Sequence, residues 1–208
     1  GAINVSGKGI TDLTGIEAFT SITDLDCSDN QLVSLDVSSN TSLEIFTCTS
    51  NQLTAIDISN NTLLTTFECG TNQLTTLDVS NNNALVILSC YSNLLTSIDV
   101  SGITGLSSLD CSQNPLNVID VSNNTALTAL YCNENQLTSL DVSNNTALEV
   151  LFCTQNQLPA LDVALNTSLV TLECNNNQLT SLNIQNGNNA NFLYFSAVAN
   201  PGLTCVQV

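Results

Sequence analysis

Eight cysteines fall at positions 27, 48, 69, 90, 111, 132, 153 and 174, each 21 residues after the last. A fixed period in the twenties constrains the fold more than any other feature of this chain. A unit that short cannot bury its apolar face alone, so successive units must stack and share one continuous core. The chain is therefore read as a solenoid. The ninth cysteine, Cys205, is out of step and lies near the C-terminal end.

Within one unit, "LTALYCNENQ" (127–136) is followed by "LTSLDVSNNTA" (137–147). Both halves share a frame: Leu, two residues, Leu, one residue, an apolar residue, two residues, Asn. The unit is thus a nested repeat of ten plus eleven. This pattern resembles the leucine-rich repeat family, LxxLxLxxNxL, with Cys at the third apolar position. It is similar in more detail to the bacterial nested 21-residue type called IRREKO, LxxLxCxxNxLxxLDLxxNxx. The match covers eight units, residues 22–185. Residues 1–21 read as a capping turn, in which "ITDLTGIEAF" (10–19) resembles the start of internalin-like repeats and "GIEAF" forms a short helical turn. Residues 186–208 read as a C-terminal cap, with Leu193, Tyr194 and Phe195 kept in frame before Pro201 and Gly202 break it.

Strand alternation assigns the faces. In "LYC" (130–132), Leu130 and Cys132 point inward and Tyr131 outward; in "LDV" (140–142), Asp141 points outward. The fold class expected is a β-rich solenoid with two short parallel sheets, one strand per sheet per turn, little helix and low curvature. Eight turns at about 4.8 Å make a rod of roughly 40 Å. Asn30, Asn51, Asn72, Asn93, Asn114, Asn135, Asn156 and Asn177 mark one corner. Buried corner backbone needs hydrogen-bond partners, and the family resemblance implies that these amides form a ladder. The in-frame cysteines read as buried, reduced core filler. A metal site needs ligands gathered round one centre, not a straight column, and parallel side chains in register suit a disulfide poorly. Cys205 is either free or paired with a partner outside this sequence.

Composition excludes several functions. The chain has 18 acids, one lysine (Lys8) and a net charge of −17. That charge opposes binding to nucleic acid or an anionic membrane surface. No apolar run approaches the ~18 residues of a membrane span, and no signal peptide is visible. With no histidine, the usual general base and metal ligand are both missing. No enzyme activity, cofactor or metal is expected.

Two outward surfaces remain. One carries a uniform column, Asp36, Asp57, Asp78, Asp99, Asp120, Asp141 and Asp162, with serine two residues after most of them. Such monotony carries little information about one partner and fits a solvated, repeated structural solution; a cation-bridged ladder and a direct binding role are the alternatives. The other surface changes from turn to turn. Its central column reads Asp26, Thr47, Glu68, Ser89, Asp110, Tyr131, Phe152, Glu173 and Tyr194, flanked on one side by Ile45, Ile87, Ala129, Val150 and Phe192 among others. On the other side lie Ser28, Thr49, Gly70 and Tyr91. Exposed aromatics beside apolar residues suggest an interaction patch. The candidate ligand site is Tyr91, Asp110, Ala129, Tyr131, Val150, Phe152, Glu173, Phe192 and Tyr194. The function expected is a non-catalytic binding or adhesion module, secreted or on a cell surface, that recognises a protein partner as a monomer or as part of a larger chain. The alternatives are a polysaccharide ligand, an ice-binding surface and a structural spacer.

Overall fold

A computed structural model describes all 208 residues. The 21-residue period becomes one turn of a solenoid, and each turn adds a three-residue strand to a parallel ten-stranded sheet. Its strands are β1 (Ala2–Asn4), β2 (Asp24–Asp26), β3 (Ile45–Thr47), β4 (Thr66–Glu68), β5 (Ile87–Ser89), β6 (Ser108–Asp110), β7 (Ala129–Tyr131), β8 (Val150–Phe152), β10 (Thr171–Glu173) and β12 (Tyr194–Ser196). The first strand comes from the capping segment and pairs with β2. The short helical turn is a 3-10 turn at Ile16–Ala18.

The second sheet is shorter than the repeat alone implies. It holds β9 (Ala160–Asp162), β11 (Ser181–Asn183) and β13 (Val206–Gln207), at the C-terminal end only. There Val163 N–H reaches Asn183 C=O at 2.9 Å and Ile184 N–H reaches Gln207 C=O at 2.8 Å. In earlier turns the corresponding segments run alongside one another without such a ladder. In laddered and unladdered turns alike, the amide two residues after the Asp donates to that side chain, as Ser38 N–H does to Asp36 Oδ1 and Ala164 N–H to Asp162 Oδ1, both at 2.9 Å.

Forty-seven buried apolar residues form one continuous core. The middle residue of each regular strand points into it, as Leu130 and Leu151 do, and Phe46 stacks on Phe67 at 5.3 Å. All eight in-frame cysteines are free thiols with no exposed surface. Burial pushes every one of these thiols up, to about 12 at the end positions Cys27 and Cys174. Cys205 is free and exposed.

Each corner carries its own asparagine ladder, and the two are bonded differently. At the first, Asn135 Nδ2 donates to the carbonyls of Cys111 and Cys132, both at 3.1 Å, while its Oδ1 accepts Leu116 N–H at 3.1 Å. The same pattern runs from Asn51 to Asn177, and Asn200 extends it. The residue before each of these asparagines is left-handed, from Asp29 (φ 53°) to Ala199 (φ 55°), and none is glycine. The second ladder comprises Asn40, Asn61, Asn82, Asn124, Asn145 and Asn166. Asn145 Nδ2 donates to Val121 and Asn124 carbonyls at 3.0 and 2.8 Å, yet Oδ1 of all six is buried without a partner. Ile103, 21 residues after Asn82, interrupts this second ladder.

The last turn departs from the frame. The pairing is Thr171 with Tyr194, Leu172 with Phe195 and Glu173 with Ser196, a step of 23 residues rather than 21. The connection contains a second 3-10 turn, Asn189–Asn191, which takes up the two added residues. The two-residue shift preserves the alternation but leaves Leu193 ahead of the strand, away from the core position that the 21-residue frame gave it. Leu193 is 82% exposed, and Phe195 stands opposite Leu172 but, on the terminal strand, stays 40% exposed.

Candidate functional site

The variable columns lie on the outward face of the ten-stranded sheet, where their side chains stand about 5 Å apart from turn to turn. Register puts Asp110, Tyr131, Phe152 and Glu173 in one straight file across β6, β7, β8 and β10. The Tyr131 and Phe152 rings meet edge to face, with centroids 5.3 Å apart and planes at 87°. Both rings are half-buried, as are Ala129 and Val150 beside them. Burial of one ring edge against the other ring's face fixes both side chains before any ligand arrives.

Two aromatic residues fall outside the expected columns. Tyr194 sits opposite Thr171, so it belongs to the flanking file of Ala129, Val150 and Thr171, not to the file of Tyr131 and Phe152. It is half exposed there. Phe192 precedes the strand and leans on the core, with its ring 5.9 Å from that of Phe195. Both corrections have one cause, the two-residue addition before β12.

Tyr91 is also set apart. Its ring lies over Gly70 on the preceding turn, where a Cβ would stand only 2.3 Å from Cε1. Only a glycine leaves room for that ring. Tyr91 therefore borders a shallow, hydroxyl-lined depression with Thr47, Thr49 and Glu68 on the N-terminal half of the sheet. Sequence reading named Tyr91 but missed Gly70 as the reason for its pose. The column signal was a lone glycine one turn before a lone tyrosine.

The carboxylates of this face differ in their partners. Asp110 Oδ1 accepts both the amide and the hydroxyl of Ser112, at 3.0 and 2.6 Å. Glu134 Oε1 accepts the Gln113 amide at 3.2 Å. On the opposite side the Asp ladder is uniformly exposed. Ser38 holds the Asp36 carboxyl below its usual range, through its hydroxyl first and its amide second. The same holds along the column to Asp120, and at Asp141 the amide contributes most. No group of three His, Cys, Asp or Glu side chains converges to hold a metal ion. No helix is long and apolar enough to cross a membrane.

No family model and no curated protein matches the chain. Solved structures do. The functional domain of InlJ from Listeria monocytogenes, described as including a cysteine ladder, is 33% identical over 97% of this chain and 54% of that one, with a TM-score of 0.60. The internalin InlF from Listeria monocytogenes is 22% identical over 100% of this chain and 66% of that one, with a TM-score of 0.85. The leucine-rich repeat ectodomain of the receptor kinase GASSHO1/SCHENGEN3 from Arabidopsis thaliana was solved in complex with CASPARIAN STRIP INTEGRITY FACTOR 2. It is 19% identical, covers 92% of this chain and 28% of that one, and has a TM-score of 0.79. The chain spans about half the length of the InlJ domain.

A solenoid of parallel strands with stacked corner asparagines, superimposable on these structures, has the leucine-rich repeat fold. One buried cysteine per 21-residue turn is a further point of similarity to the InlJ domain with its cysteine ladder.

Proposed function

We propose that this chain is a non-catalytic recognition module, secreted or displayed at a cell surface, that docks a protein partner on the C-terminal half of its ten-stranded sheet. The observation that carries this reading is the Tyr131–Phe152 pair. Two pre-ordered rings stand half-buried on a rigid sheet beside Ala129 and Val150, with Tyr194 on the flanking file. Both rings are already half-buried, so covering what remains of each contributes about 1 kcal/mol, and the rings act together with Ala129, Val150 and Tyr194 to support a modest affinity. A sugar chain laid along the rod would instead favour rings facing the same way, and planes at 87° supply no such platform.

The test begins with capture of partners on the immobilised protein from envelope extracts, beside a glycan array. For the partner recovered, Tyr131→Ala with Phe152→Ala should weaken binding at least tenfold. Asp120→Asn with Asp141→Asn on the other face should change it little. Loss with the Asp pair and silence from the aromatic pair would place recognition on the wrong face.

A further inference from the structure

We infer that the Asp110–Tyr131–Phe152–Glu173 file is a receptor strip for two basic side chains of the partner, so that the protein docked here presents Lys or Arg on either side of an apolar contact. The inference rests on the docking reading above and adds the chemistry of its occupant. Three observations carry it.

The first is the order of the file. Successive strands place a carboxylate, two rings and a second carboxylate in register, one turn apart each. An ammonium or guanidinium group seated between Asp110 and the Tyr131 ring meets both, since the two are one turn, about 5 Å, apart; one seated between Phe152 and Glu173 does the same. Each position combines a ring face that attracts cations with an anion at its edge. The second is what those carboxylates lack. Asp110 has one oxygen occupied by Ser112, which leaves its second free, and no hydrogen bond reaches the Glu173 carboxylate. Two more exposed acids stand nearby, Glu134 just after β7 and Glu149 just before β8. The third is the whole-chain balance. The only base in 208 residues is Lys8, on the first turn, so no internal cation neutralises this strip. An acidic partner would meet uncompensated repulsion; a basic one meets a field that speeds its approach and fixes its register.

The separation sets the spacing of the ligand. The midpoints of the Asp110–Tyr131 and Phe152–Glu173 steps are two strands, about 10 Å, apart. Alternate residues of an extended peptide are about 7 Å apart, and long basic side chains make up the difference. The ten-stranded sheet also has its apolar contacts, Ala129 and Val150, alongside the rings to receive whatever lies between.

The probe is the peptide acetyl-Arg-Leu-Arg-Leu-Arg-amide, with acetyl-Gln-Leu-Gln-Leu-Gln-amide as its neutral counterpart, titrated by NMR against the aromatic ring signals of the intact chain. The basic peptide should bind at least fivefold more tightly than the neutral one. Asp110→Asn with Glu173→Gln should remove that advantage. Asp120→Asn with Asp141→Asn, which changes net charge by the same amount on the opposite face, should leave it within twofold. Equal weakening by the two acid pairs would mean a diffuse field rather than a strip, and would overturn the inference while the aromatic docking face stood. If Tyr131→Ala with Phe152→Ala left both peptides bound as before, the docking reading and this inference would fall together.

Discussion

The two asparagine ladders are chemically alike and should respond very differently to the same deletion. Asn135→Ala removes the only side-chain acceptor of the buried Leu116 N–H. Leaving that donor unpaired costs about 1–3 kcal/mol. The two amide hydrogens add about 1 kcal/mol each, because the Cys111 and Cys132 carbonyls lose one donor but keep others, from Asn114 and Asn156. The expected total is about 3–5 kcal/mol before any cavity contribution. Asn145→Ala also removes two donated bonds, to Val121 and Asn124. Those carbonyls retain backbone partners, the amides of Asn124 and Leu127. The substitution also relieves a buried Oδ1 that has no partner, which offsets most of the loss. Both sites are buried and lose the same atoms, so the cavity contribution largely cancels in the comparison. Asn135→Ala should therefore be about 2–4 kcal/mol worse than Asn145→Ala, read from urea midpoints at a common slope. Equal costs, or the reverse order, would refute the hydrogen-bond accounting.

Other consequences follow from the same structure. One thiol, Cys205, should react at once with a disulfide reagent in the native protein, and the other eight only on unfolding; prompt reaction of any in-frame cysteine would contradict its burial. The buried thiols have folded pKa values raised above the unfolded value of about 8.5, so their stabilisation is complete below that pH. It is lost as pH rises above that value, towards about 12 at Cys27 and Cys174, because the unfolded chain releases protons first. With about 2 kcal/mol per thiol at stake by pH 10, the melting temperature should drop steeply between pH 8.5 and 10; a flat profile would contradict this. Thr71, a β-branched residue held at φ 52°, is strained. Thr71→Asn should raise stability by about 0.5–1 kcal/mol in urea, with a loss counting against the strain argument.

The fold was legible because its signals repeat. Each inward Leu, each Cys and each corner Asn recurs in turn after turn, and the structure puts them where alternation places them. The left-handed position before each first-ladder Asn left no such trace. Its occupants are Asp, Ser, Thr, Ser, Gln, Glu, Gln, Asn and Ala, because the side chain there faces solvent and only the backbone is constrained. The last turn misled for another reason. Leu193, Tyr194 and Phe195 alternate well in either register, so the pattern cannot reveal two residues added in the preceding loop. The file of Asp110, Tyr131, Phe152 and Glu173 was readable, since no insertion lies within it. The contact of Tyr91 with Gly70 was not, because it depends on which way one ring leans.

The most direct test of the recognition face is hydroxyl-radical footprinting of the chain with and without its captured protein partner. Tyr131 and Phe152 are half-buried and Tyr194 is exposed on one face, all with rings that oxidise readily, while Leu165 stands 58% exposed beside Asp162 on the other. Docking on this face makes oxidation of Tyr131 and Phe152 fall several-fold in the complex and leaves that of Leu165 unchanged. Protection of Leu165 with undiminished oxidation of both rings would contradict it.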